Sequence, residues 1–392
     1  MQQIVTAGAR LHSFADAAFA LSLTGLSISP RHVHELTGQV GAELAARRDA
    51  KARQRLKRQL PPEVGAAPQA VAVEVDGGRL RTRASGCGPG VHEPENKEDK
   101  LACLVTLRSQ EHAADPQPEV PPSFVQPRRI QRLVRQMGGW AGEEAAAEAE
   151  AVPAAGEDPS GLPEAEPWAP RRLVRTCLAS LEDSRAFGPM VAGEAQARDF
   201  YAAARRAFVA DGQAYNWAIQ RGYFPDFVPI VDFLHVICYL FSAAQVLAQE
   251  GSQRWARYEA WVRACWQGRA AEVVRELETA QAAVGRPPPG EELAANDPRR
   301  VVAEALSYLG NNTGRMNYPE YRRLGLPTTS SLVESLVGEF NARVKGKEKF
   351  WNRPGGAEAI LQVRAALLSE DGRLERHFAS RPGSPYRRRP AA

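Results

Sequence analysis

At 392 residues the chain has room for two or three domains of roughly 100–200 residues each, and 44% hydrophobic residues are enough for a packed core. A net charge of +4 is too small to establish a nucleic-acid partner by itself. The five cysteines are odd in number, scattered and without a C-x-x-C pair, which excludes a zinc ribbon or a secreted disulfide framework and points to a reducing cytoplasm.

No charged segment followed by an apolar run and a cleavage site opens the chain, so no signal peptide is expected. Phe14–Leu23 (FADAAFALSL) is helix-like, Thr24–Ile28 breaks it at Gly25, and Ser29-Pro30 reads as an N-cap and first helical position. Val33, Leu36, Val40 and Leu44 then form an apolar helical stripe. Helix, glycine-containing turn and second helix match a helix-turn-helix over residues 1–60, with Arg31, His32, Glu35 and Gln39 on the face offered to a major groove. Any two small helices give the same pattern. Glu43–Arg58 is basic enough to follow backbone phosphates, as is Arg343–Arg353, which carries Arg343, Lys345, Lys347, Lys349 and Arg353. A solvated surface is the plain alternative for each.

Pro61-Pro62 ends the helical region. Val71–Val75 (VAVEV) predicts a strand, Asp76-Gly77-Gly78 a tight turn, and Leu80–Arg83 a second strand. Leu101–Leu107 is the next strand, Pro116–Pro127 an extended loop and Ile130–Met137 a helix, making residues 66–140 the first part of a core. Residues 141–170 are Ala, Glu and Pro with almost no large apolar side chains, the composition of a flexible acidic linker. Leu173–Leu178 returns to strand and Ala195–Arg206 reads as a helix. Two apolar runs follow: Ala207–Ala210 ends on Asp211-Gly212, and Val228–Val231 ends on Asp232. Residues 171–235 are the second part of the core.

Phe227–Ala248 is the most apolar stretch, but Pro229, Asp232 and His235 make it a strand followed by a buried helix rather than a membrane span. Residues 236–315 form a helical block in which Trp255, Tyr258, Trp261 and Trp266 read as core more readily than as a base-stacking surface. From Ser331, the residues Val333, Leu336, Val337, Phe340 and Val344 share a helical face, with Glu334 roughly 120° from its centre. Glu358–Leu368 is the last amphipathic helix of residues 316–378, and residues 379–392 read as a disordered basic tail.

Strand, turn and strand, then strands ending in aspartate, then a helix carrying glutamate, is the order expected of an α/β fold with an RNase H-like mixed sheet. Three carboxylates in such a sheet hold two divalent ions for phosphoryl transfer. Hard oxygen ligands suit Mg²⁺, with Mn²⁺ as a substitute. Asp76 and Glu334 supply two of them, and Asp211 and Asp232 are equal candidates for the third. Each has a bland reading: Asp76 in a hairpin turn, Asp211 at a strand end, Asp232 as a helix cap beside a core His235, and Glu334 in a capping box with Ser331. No phosphate-cradling glycine loop argues for a small-molecule substrate.

The chain resembles the DDE transposases of bacterial insertion sequences, of the Mutator-like group. The resemblance is carried by VEVDGGR (Val73–Arg79), ENKEDKLACLVTL (Glu95–Leu107), FVADGQAYNW (Phe208–Trp217), FPDFVPIVDFLHV (Phe224–Val236), NNTGRMNYPEYRRLGLPTTSSLVES (Asn311–Ser335) and RVKGKEKFW (Arg343–Trp351). It spans about Leu11 to Phe378. It implies an RNase H-like core interrupted by an all-helical insertion, Mg²⁺-dependent cleavage at element ends, strand transfer into target DNA, and a homo-oligomer on double-stranded DNA in the bacterial nucleoid. It assigns Asp76, Asp211 and Glu334 as the catalytic and metal-binding triad, with Asp232 and His235 as an accessory Asp-x-x-His motif. Relatives have a fuller N-terminal region, and glycine where this chain has Thr-Thr-Ser-Ser before Glu334. Two further readings are a transposase-derived DNA-binding protein without catalysis and an RNase H-like nuclease without strand transfer.

Overall fold

The computed structural model describes residues 1–83, 94–141, 168–345, 350–352 and 354–381, excepting the side chains of residues 94, 331–337 and 354. Three helices open the chain: α1 (Gln2–Arg10), α2 (Phe14–Leu23) and α3 (Pro30–Leu56). The expected cap is in place, since the Ser29 hydroxyl accepts from the His32 amide at 3.2 Å with Pro30 following it. Gly25 takes φ +84° in the turn between α2 and α3. α3 runs 27 residues because its later turns are packed rather than free. A Cβ at Gly41 would fall 2.2 Å from the Ala359 carbonyl oxygen, so only glycine lets α3 cross a later helix at backbone contact.

The sheet has five strands, β1 (Ala70–Arg83), β2 (Pro94–Arg108), β3 (Arg171–Ser180), β4 (Arg205–Ala210) and β5 (Val228–Val231), in the order β3-β2-β1-β4-β5. β2 is antiparallel to both its neighbours, whereas β1, β4 and β5 run parallel. The molecule is therefore mixed α/β. The centre of the sheet is apolar on both faces: Ala70–Val73 and Leu101–Val105 are all fully buried, which is the continuous pattern of covered strands rather than alternation.

Two expectations need correction. Asp76-Gly77-Gly78 is no turn: β1 passes straight through it, with Gly77 opposite Lys100 and Gly78 opposite Asp99. A Cβ at Gly78 would lie 2.8 Å from Asp99 Oδ1, and one at Gly77 would lie 3.0 Å from the Asp99 carbonyl, so the glycines make room across the sheet. The helix expected at Ala195–Arg206 instead occupies Ser184–Ala197 (α5), started by Asp183, whose carboxylate accepts from the Ala186 amide at 2.9 Å. The left-handed Asp199 (φ 57°) turns the chain, and Arg205 already belongs to β4.

α4 (Pro127–Gln136) lies between β2 and β3 in sequence, after a short 3-10 turn at Pro122–Val125 within the expected loop. α6 (Ala214–Tyr223) joins β4 to β5. After β5 come α7 (Phe233–Leu247), α8 (Gly251–Trp266), α9 (Ala270–Val284) and α10 (Pro298–Asn312), a helical block in which α7 packs on α8 and α10. Its tryptophans are core: Trp261 and Trp266 are buried, and Trp266 meets Phe124 and Phe233 at 5.8 and 4.9 Å between ring centroids. α11 (Tyr318–Arg323), α12 (Ser331–Val344), α13 (Pro354–Leu368) and α14 (Arg373–Ser380) return the chain to the sheet. α12 packs on β1, and α13 on β3 and α3. Among the described residues no helix is long and apolar enough to cross a membrane. The linker expected at 141–170 and the tail at 379–392 fall mostly outside the described residues.

Candidate active site

The parallel register brings three aspartates to one edge. Val75 of β1 is level with Ala210 of β4, and Ala210 is level with Val231 of β5. One residue further along each chain stand Asp76, Asp211 and Asp232, on strands about 4.8 Å apart. The Asp232 amide donates to the Ala210 carbonyl at 2.9 Å, which carries the ladder one step past β5. Burial pushes the Asp76 carboxyl up to about 6; the charges of Asp211 and Asp232 add to the rise, while His235 and the Gly77 amide oppose it. The four side chains are thus one electrostatic unit.

Asp211 and Asp232 have different surroundings. Asp211 is partly exposed, and its Oδ1 accepts from the Gln213 amide at 3.0 Å and from Asn216 Nδ2 at 2.8 Å. Both bonds go to one oxygen, Oδ1. Gly212 takes φ +93°, and a Cβ there would sit 2.7 Å from Tyr308 Cε2, so the residue after Asp211 must be glycine on two counts.

Asp232 is wholly buried and fully engaged. Its Oδ1 accepts from the Leu234 amide at 3.2 Å, capping α7, and from the Ser330 amide at 2.9 Å. Its Oδ2 lies 2.7 Å from His235 Nδ1. The Phe233 amide also donates to the Thr328 carbonyl at 3.1 Å. The N-terminus of α7 therefore holds residues 328–330, from which α12 begins. Glu334 lies in the first turn of α12, and its side chain is outside the described residues.

Among the described residues no three His, Cys, Asp or Glu side chains are grouped to hold a metal ion. Asp76 and Asp211 are nonetheless the donors such an ion needs. They are carboxylates side by side on adjacent parallel strands, and burial, with the neighbouring carboxylates, disfavours ionisation of Asp76. Their hard oxygen donors are the type that suits a divalent ion which keeps some of its waters.

The basic candidates separate into groups. Arg31, His32 and Gln39 are exposed on α3, with Arg31 Nε 2.8 Å from Glu35 Oε1 and His32 Nδ1 3.5 Å from Glu35 Oε2. Lys345 is exposed at the end of α12. Arg343 is not a surface cation: it is 4% exposed, donates from Nε to the Gly8 carbonyl at 2.9 Å and lies over the Phe14 ring at 4.6 Å, tying α12 to the N-terminal helices. Lys347, Lys349 and Arg353 lie outside the described residues. Within Glu43–Arg58, Arg48 pairs with Glu358 at 2.6 Å, Lys51 with Glu63 at 2.9 Å, and Arg55 donates to the Tyr201 hydroxyl at 3.0 Å. Those three cations hold the fold together rather than face a phosphate backbone.

Sequence reasoning missed several residues here. Asn216 is buried and orients Asp211 from the first turn of α6; an Asp-Gly followed by a polar residue at the next helix start was its signal. Tyr308 lies against Gly212 from α10, and Ser330 reaches Asp232 across 98 residues; no local pattern marks either. A cleft of about 700 Å³ lies elsewhere, at the β3 edge among Lys51, Glu194, Arg198, Asp371 and Arg373. Its charges largely cancel in pairs, with Glu194 against Lys51 (3.5 Å) and Arg373 (2.5 Å), so it is not the catalytic candidate. No protein-family model matches the chain, and no curated protein matches it at a significant level of similarity.

Proposed function

We propose that the chain is a DNA transposase that cleaves element ends and transfers the released strand to target DNA through a DDE site on an RNase H-like sheet. The observation that carries this reading is the meeting of Asp76, within β1, and Asp211, at the end of the neighbouring parallel β4, with Asp232 engaged in structural bonds beside them. The element order supports it too: two antiparallel long strands, parallel strands ending in aspartate, a helical block, then the helix with Glu334.

In this reading Asp76, Asp211 and Glu334 would hold Mg²⁺, which would supply activation of an attacking oxygen and charge stabilisation of the leaving one. The protein's own groups do the rest. Asn216 and the Gln213 amide fix the Asp211 carboxylate in one rotamer, which removes an orientation cost from each encounter. Asp232 fixes the His235 ring through Nδ1, so that its other nitrogen is set for a phosphate oxygen. The α7 N-terminus sets the start of α12 and with it the height of Glu334.

α2 and α3 would act as a helix-turn-helix, with Arg31, His32 and Gln39 toward the element end and Lys345 toward the backbone. Action on paired ends calls for a homo-oligomer on DNA in the bacterial nucleoid. The test is incubation of purified protein with duplexes of the DNA flanking its gene, with Mg²⁺ or with chelator. Metal-dependent 3′-OH ends and their joining to a second duplex support the reading; binding without cutting in Mg²⁺ or Mn²⁺ refutes it.

A further inference from the structure

A second cleft, about 550 Å³, opens beside Asp211 and has no part in the chemistry above; it is lined by Gly212, Tyr239, Ser307, Tyr308 and Asn311 among others. Its floor is a pair of stacked rings, Tyr239 of α7 and Tyr308 of α10, with centroids 4.0 Å apart and planes 18° apart. The inner ring, Tyr308, abuts Gly212, the residue after Asp211. The outer ring, Tyr239, stands four residues after His235 and so shares its face of α7. Both tyrosines stay partly exposed, unlike Trp261, Trp266 and Tyr258 in the same helical block.

Neutral polar groups, Ser307, Asn311 and Asn312, line the cleft beside the rings, with the charged pair Arg300 and Glu304 at its rim. Ser307 is exposed, and Asn311 Nδ2 makes only a long 3.4 Å contact to its hydroxyl, so amide and hydroxyl remain able to turn to a ligand. The Tyr308 hydroxyl is buried with no hydrogen-bond partner among the described residues. The rim cation Arg300 is held by Glu304 at 2.8 Å, so the cleft brings no free charge for a phosphate. Aromatic faces with amide and hydroxyl groups at their edge suit a flat heteroaromatic ring carrying its own donors and acceptors. One glycine away stands the carboxylate proposed to handle the phosphate. A base still stacked in a duplex does not reach such a wall, so the occupant is unpaired.

We propose that this cleft holds an unpaired nucleobase of the strand being cut, stacked on Tyr239 and held at its edge by Asn311 and Ser307. The proposal deepens the phosphoryl-transfer reading and rests on it for the placement of the scissile phosphate. The base would leave the helix next to that phosphate, and the stack would fix the backbone over Asp211.

The test separates the two ideas by measuring binding in Asp76→Asn protein, where cutting plays no part. Terminal-repeat duplexes are compared with the same duplexes carrying one unpaired 2-aminopurine at the cleavage position. The expected result is tighter binding of the unpaired probe with quenched 2-aminopurine fluorescence. Tyr239→Ala should weaken that probe about tenfold and leave the paired duplex unchanged, and Tyr239→Trp should keep the preference. Equal loss on both probes, or no loss on the unpaired one, overturns the base site whatever the cleavage assay shows. Absence of cleavage by the wild type, with the Tyr239-dependent preference intact, instead overturns the transposase reading and keeps the base site.

Discussion

The Asp232 carboxylate accepts a hydrogen bond from the Ser330 amide at 2.9 Å, linking the end of β5 to the start of α12 across 98 residues. That bond, with the cap to Leu234 and the contact to His235, engages both oxygens of Asp232, whereas the Asp211 bonds to Gln213 and Asn216 both go to Oδ1.

The two aspartates should therefore fail differently. Asp232→Ala leaves the Leu234 and Ser330 amides buried without an acceptor, at a cost of about 2–4 kcal/mol of stability. Asp211→Asn keeps an acceptor oxygen for Gln213 and Asn216, and its unfolding curve should overlay the wild type while cleavage is lost. Urea unfolding of both variants checks this.

The site carboxylates set a pH dependence. The Asp76 carboxyl is raised to about 6, so the folded state binds its proton more tightly than the unfolded chain does. Stability should fall as pH rises from the ordinary aspartate value, about 4, through about 6, and level off above it. Asp76→Asn removes that part of the slope and should melt a few degrees higher at pH 8 but no higher at pH 4. In the wild type, Mg²⁺ should restore the lost stability at pH 8, because the metal takes the ionised form.

Asp99 gives an independent version of the same effect. It is fully buried opposite Gly78, neither carboxylate oxygen has a hydrogen-bond partner among the described residues, and burial raises its carboxyl to about 6. Asp99→Asn should add about 1–2 kcal/mol at pH 8 and nothing at pH 4. A loss of stability at pH 8 would show that the charge is held by something else.

Gly212→Ala combines an unfavourable φ of +93° with a methyl 2.7 Å from the Tyr308 ring. A cost of about 1–3 kcal/mol follows, with Asp211 displaced and activity lowered even where the protein still folds. A melt alongside a cleavage assay reads both.

Two arginines should part company in DNA binding. Arg31→Ala, on the exposed face of α3, should lower affinity and reduce the salt slope by about 1. Arg343→Ala should leave the slope unchanged and cost stability, because its guanidinium lies over Phe14 and bonds the Gly8 carbonyl. Salt titrations of the two variants distinguish the roles.

Much of this was legible in the sequence where the signal is local. The runs Ala207–Ala210 and Val228–Val231 are strands that stop at their aspartates, Ser29-Pro30 starts a helix, and the tryptophan stripe is core. The illegible parts depend on a distant partner. Asp76-Gly77-Gly78 carries the residues of a turn, yet its glycines answer to Asp99 on the next strand. Arg343 sits in a basic run, and its partner is at Gly8. The Asp211 reading came from the resemblance, and the bond from Ser330 that engages Asp232 is announced by no spacing within either motif.

The central claim, the proposal that Asp76 and Asp211 on adjacent parallel strands are the metal ligands, is tested most directly by cleavage of a terminal-repeat duplex in Mg²⁺ by wild-type and Asp211→Asn protein of matched stability. The account predicts cutting by the wild type and a loss of roughly a thousandfold or more in the variant. Cleavage by Asp211→Asn at the wild-type rate would contradict it.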